Sequence, residues 1–196
     1  MITRGLLLLI SISCSFGSES IGQIWTGGYD PSLGTLPTNQ GWQYIQDGAP
    51  SPPPIVASGV LQQGPTSFTG YQYWQRSDVI ADFSSVSGQV IRADVKIKSS
   101  TYSPGGLAGT WRTGYTILSV DSFGRTMALG ISDTGVRISV DGFLADSWSS
   151  PLIALDTTST FRSYTMVGVN SVYKLFVDGA EIASLAFGPQ IAEKNY

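Results

Sequence analysis

A chain of 196 residues with 42% apolar side chains is long enough to form one domain with a proper core. Only 13% of its residues are charged, about half the ~25% usual for globular domains, so Ser, Thr, Gln, Asn and Gly must keep the surface wet, as in many extracellular β proteins. A formal net charge of −3, with 11 scattered Lys and Arg residues, offers no phosphate-neutralising stripe and argues against a nucleic-acid partner. Histidine is absent and Cys14 is the only cysteine. Ser-His-Asp and Cys-His catalysis and imidazole zinc sites are thereby excluded together.

In chain order, residues 1–20 read as a secretory signal peptide. Arg4 supplies the positive start, and residues 6–12 form a short apolar run. That run falls short of the ~20 apolar residues a membrane span needs. Ser15-Phe16-Gly17 and Ser18-Glu19-Ser20 both offer the small-x-small pattern of a cleavage site. The competing reading is a buried N-terminal strand. Ser13-Cys14 fits the start of a bacterial lipoprotein, but Ser11 stands where Leu or Val is usual. Simple cleavage is therefore expected over a lipid anchor at Cys14. Without a second long apolar segment, no transmembrane span is expected, and the location reads as secreted or envelope-associated.

Residues 21–67 read as a loop-rich segment packed on a body formed by residues 68–196, together one domain. Ser51-Pro52-Pro53-Pro54 is a stiff extended connector. Trp25, Trp42 and Tyr44 look like isolated anchors, with a pattern too weak to fix registers. Clear alternation begins later: Ile91, Ala93, Val95 and Ile97 alternate with Arg92, Asp94, Lys96 and Lys98, one face dry and one wet. Residues 99–109 form a Gly/Ser/Pro loop. Residues 115–120 are largely apolar on both faces and predict a central strand. The turn Asp121-Ser122-Phe123-Gly124 leads to Met127, Leu129 and Ile131, and a turn at residues 132–135 leads to Val136, Ile138 and Val140. Three strands on two tight turns predict an antiparallel meander. Residues 161–169 make another strand, and Asp178-Gly179 between apolar runs is a strong hairpin signal. With no sustained 3.6-residue period, the predicted fold is an all-β antiparallel sandwich.

The order of these segments resembles the concanavalin A-like lectin/glucanase superfamily, and within it the laminin-G-like jelly rolls. The matching pieces are residues 71–76, 90–98, 114–120 and 125–141, and the closing hairpin at 173–182 with its Val177-Asp178-Gly179 turn. The likeness covers roughly residues 68–188. In that family a further strand usually follows the hairpin. Here the sequence ends at Asn195-Tyr196, so the expectation is a sandwich short of one C-terminal strand, or one whose edge the N-terminal segment covers.

The resemblance implies two chemistries. Glycosidases of the superfamily carry two glutamates on one strand face with an aspartate between them. This chain contains only Glu19, Glu181 and Glu193, none paired, so that signature is missing. A polysaccharide lyase would set a Tyr base beside an Arg, and no diagnostic spacing marks one. The alternative is a non-catalytic module that binds a polysaccharide or glycan. Sugar sites join an aromatic face to fixed polar groups. The strand at 71–76 puts Gln72, Trp74 and Arg76 on one face, and Trp111-Arg112, Tyr102 in the preceding loop and Trp148 supply further rings and a guanidinium. The same aromatics serve as core or edge packing in an ordinary sandwich. Laminin-G-like domains often bind calcium at a rim, for which Asp121, Asp133 and Asp141 are the candidates. The plainer role for these aspartates is to cap turns.

Overall fold

A computed structural model describes residues 6–9, 28–47, 53–63, 71–76, 83, 88–98, 115–140 and 149–188, of which 6–9, 47 and 71–73 are described by backbone alone. All regular structure among them is strand, apart from two 3-10 turns, Pro31–Leu33 and Pro37–Gln40. Strands β1 (Leu6–Leu9), β3 (Ile55–Ala57), β4 (Val60–Gln63) and β6 (Gln89–Ile97) belong to a seven-stranded sheet. It is completed by β11 (Arg162–Val169), β12 (Val172–Val177) and β13 (Ala180–Ala186), in the order β13-β12-β11-β6-β1-β4-β3. Strands β7 (Tyr115–Val120), β8 (Thr126–Ser132), β9 (Gly135–Val140) and β10 (Ile153–Ala154) form a four-stranded sheet, and β2 (Gln43–Asp47) pairs with β5 (Tyr71–Gln75) as a separate ribbon. Every pairing is antiparallel. The expected all-β architecture is therefore what the chain adopts.

The two larger sheets share one core. Ala93, Val95, Ile97, Tyr164, Met166, Tyr173 and Leu175 face it from the seven-stranded sheet, and Met127, Leu129, Ile131, Val136 and Ile138 from the four-stranded one. These are the alternate positions of their strands, because successive side chains on a strand point to opposite faces. Three hairpins turn through pairs of left-handed residues: Ser58-Gly59, Asn170-Ser171 and Asp178-Gly179, the last at φ 51° and 85°. Such turns match the right-handed twist of their flanking strands. Asp178 is held there: its carboxylate accepts from Ser163 N and from Arg162 Nη1, at 2.9 and 2.6 Å.

One expectation needs correction. Strand β7 is not central but lies at the edge of its sheet, with Leu118 and Val120 41% and 43% exposed. Its neighbour β8 is an interior strand, buried along its whole length on both faces. An apolar run alone does not distinguish the two, since a dry strand needs cover and not merely apolar side chains. At the N-terminus, the backbone of residues 6–9, read from sequence as part of a leader, pairs with both β4 and β6.

The N-terminal part is built differently. Tyr29 is buried, and its hydroxyl donates to the Thr35 carbonyl at 2.9 Å. Gln40 Nε2 donates to the Asp30 carbonyl and Gln40 Oε1 accepts from Asp30 N, both at 2.8 Å. Trp42 packs against the core, and its Nε1 donates to the Gly28 carbonyl at 3.2 Å. The expected anchoring role of Trp42 is thus met, while Trp25 lies outside the described residues.

Candidate functional site

The β2–β5 ribbon carries the aromatic strand singled out from sequence. Its register sets Tyr44 opposite Trp74 and Gln46 opposite Gln72, so these four positions share one face. The Tyr44 and Trp74 rings meet with centroids 4.6 Å apart and planes tilted by 40°. Both are half-buried, and Trp74 also packs against the core. Its Nε1 is buried without a hydrogen-bond partner, so the indole is inserted toward the body and does not lie flat on the surface. Tyr44 is the more outward ring: its hydroxyl donates to Oε1 of the exposed Gln46 at 3.0 Å, and partial burial raises its pKa. On the opposite face, Gln75 Nε2 donates to Gln43 Oε1 at 2.8 Å. Arg76 follows β5, and its guanidinium carbon lies 4.0 Å from where a Cβ on Gly41 would stand.

The ribbon thus brings Trp74 and Arg76 to one end of a short aromatic face. The sequence reading treated Trp74 as the stacking ring. The structure gives Trp74 a packing role and adds Tyr44, which a strand-by-strand reading passed over because its partner strand had no assignable register. The signal available was the Trp42-Gln43-Tyr44-Ile45-Gln46 alternation itself. Tyr102, Trp111, Arg112 and Trp148 lie outside the described residues.

The calcium candidates do not converge. Asp121 and Asp133 stand beyond opposite ends of the seven-residue β8, roughly 20 Å apart along the strand, whereas one ion holds its oxygens within about 2.6 Å. Asp121 is also fully engaged. Its Oδ1 accepts from Phe123 N and Arg125 N at 3.0 and 2.9 Å. Its Oδ2 accepts from Arg125 Nε at 2.7 Å, from Arg125 Nη2 and from Phe83 N. This is the turn-capping role, extended into a buried ion pair. The Arg125 guanidinium lies 5.4 Å from the Phe123 ring centre and 5.7 Å from that of Phe187, which stacks on Phe83. The Asp121 carboxylate therefore ties the β7–β8 turn to the end of β13 and has no lone pair left for a cation. Asp133 sits half-buried in the β8–β9 turn, and Asp141 lies outside the described residues. Among the described residues, no group of three or more Cys, Asp or Glu side chains is placed to hold a metal.

Glu181 and Asp156 are likewise committed. Glu181 pairs with Lys174 at 3.0 Å across β12 and β13. Asp156 caps its own turn, accepting from Thr158 N and Ser159 N at 3.0 and 3.1 Å, and hydrogen bonding from the Ser159 side chain, then from these two backbone groups, lowers its pKa. Among the described residues, no helix is long and apolar enough to cross a membrane. No family model, no curated protein and no solved structure matches this chain.

Proposed function

We propose that the chain is a secreted, non-catalytic carbohydrate-binding or adhesive module of lectin-like, laminin-G-like architecture. The observation that carries this reading is the Tyr44–Trp74 pair on a ribbon face whose polar side chains are Gln46 and, following β5, Arg76. An aromatic ring offers a face for sugar C–H groups, and amides both donate to and accept from hydroxyls. The commitment of Asp121, Asp156 and Glu181 to turn caps and ion pairs favours binding over hydrolysis.

A glycan array probed with the exported protein, with and without calcium, tests the reading. Retention on at least one polysaccharide is expected, with no reducing ends or unsaturated products released on incubation. Replacing Tyr44 by Ala should weaken retention roughly fivefold, equivalent to the ~1 kcal/mol a stacked ring contributes. Release of products would favour an extracellular carbohydrate-active enzyme with an atypical site. The export half of the proposal is tested separately by intact mass. Cleavage after Gly17 or Ser20 removes β1 and leaves β4 and β6 without the strand that joins them, whereas an uncleaved mass would make residues 6–9 a permanent strand of the sheet.

A further inference from the structure

We infer that the slot between β4 and β6 is a strand-acceptor site, filled by residues 6–9 until the leader is removed and afterwards by an extended segment of a partner protein. The inference rests on the export reading above. Residues 6–9 pair with both neighbours: position 8 stands between Leu61 and Val95, and position 6 between Gln63 and Ile97. Removing them leaves β4 and β6 roughly 10 Å apart, twice the ~4.8 Å between adjacent strands, each with a row of backbone donors and acceptors that has lost its partner. Leu61, Val95 and Ile97 are fully buried with the strand in place, so its departure also opens the core they line.

Both walls of the slot are held from elsewhere. β6 keeps its pairing with β11, from Arg162↔Val95 to Gly168↔Gln89. β4 keeps its hairpin with β3, and Leu61 its place in the core. Direct closure of the gap is disfavoured. Since β4 and β6 each run antiparallel to residues 6–9, they are parallel to one another. Closure would demand a parallel pair, with slanted and differently spaced bonds, in a sheet whose described pairings are all antiparallel. It would also demand a shift of ~5 Å that draws Leu61 off the core. A new strand restores the bonds without moving either wall. The register states its chemistry: apolar at the alternate positions beside Val95 and Ile97, with polar side chains tolerated beside the partly exposed Lys96 and Gln62. The segment seated there, Leu6–Leu9, is apolar at every position and so meets the first requirement. Main-chain bonds supply affinity in such strand addition, and the alternate side chains supply specificity.

Intact mass first establishes that the exported protein has lost the leader. A labelled peptide of residues 4–11 is then titrated into it and followed by fluorescence anisotropy. Saturable binding is expected, with amide exchange slowed in β4 and β6, and an unrelated peptide alternating Val with Thr should displace the label. Leu8→Asp in the labelled peptide should weaken binding about tenfold or more, because a charge then meets the core. Leu7→Asp, on the face of Lys96, should change it by less than about threefold. No binding to the processed protein, no displacement by the alternating peptide, or equal losses from the two substitutions would overturn the inference and leave export standing. An uncleaved mass would overturn both, since residues 6–9 then never leave the sheet. Oligomers of the processed protein that the peptide dissociates would overturn the choice of a partner protein and make a second copy the donor.

Discussion

The two larger sheets, and the 3-10 turns of residues 31–40 with the β2–β5 ribbon, solve the problem of burial by different means. In the sandwich, long strands alternate dry and wet faces, and apolar side chains from two sheets meet in one core. In the N-terminal segment, two 3-10 turns opened by Pro31 and Pro37 and a short ribbon are fixed by individual bonds, such as Tyr29 to Thr35, Gln40 to Asp30 and Trp42 to Gly28. Burial summed over many residues dominates the first, while a few hydrogen bonds of ~1 kcal/mol each position the second. The difference teaches where a binding surface can vary: the ribbon depends on a handful of contacts, among them the packing of Trp74 against the core.

Four experiments sharpen or break this contrast. The largest effect is expected in alkali. Burial pushes the Tyr164 phenol up to about 12 and Tyr173 well above its ordinary value, so both must stay protonated in the folded sandwich. For Tyr164 the contribution to stability is complete below pH 10.0, the unfolded value, and is lost as pH rises through the folded value near 12; the contribution of Tyr173 is lost in the same direction. Absorbance near the phenolate band should show cooperative unfolding accompanying ionisation of Tyr164 and Tyr173. A smooth titration of all tyrosines at once would deny the two-region picture. Next, Asp121→Ala leaves Arg125 buried without its partner and should cost about 4 kcal/mol in urea unfolding. A cost below ~1 kcal/mol would mean that the turn is not tied to the core in solution.

Gly168→Ala places a Cβ 2.8 Å from the Phe83 ring, and the clash should cost roughly 2 kcal/mol. The smallest effect is expected in the N-terminal segment. Trp42→Phe removes the bond to the Gly28 carbonyl while keeping most of the ring, at about 1 kcal/mol. Hydrogen exchange should rise around residues 28–47 and stay unchanged in β8. Equal deprotection of β8 would show that the two regions unfold as one unit.

The longer strands of the sandwich were legible because their chemistry is periodic. Ile91-Arg92-Ala93-Asp94-Val95-Lys96-Ile97 alternates cleanly, and Asp178-Gly179 marks its hairpin by a backbone requirement that few residue pairs meet. The Ser58-Gly59 and Asn170-Ser171 hairpins carry a weaker form of the same signal. The strands β2, β3 and β4 stayed hidden among prolines and glycines, since strands of three to five residues contain too few positions to establish a period. At the candidate site, sequence identified Trp74 and Arg76 but not that Trp74 turns inward and Tyr44 stands beside it, because cross-strand pairing joins residues about thirty positions apart.

By itself, then, the sequence determined the all-β class, the longer strands from residue 90 onward, the Asp-Gly hairpin and the lack of imidazole chemistry, since each follows from residue type or local spacing. Only the tertiary structure decided that β7 is an edge and β8 an interior strand, and that Asp121 belongs to Arg125 and not to a cation. It alone set Asp121 and Asp133 at opposite ends of one strand. Those outcomes depend on which surfaces cover one another, and cover is a property of the packed chain that no short stretch of residues encodes.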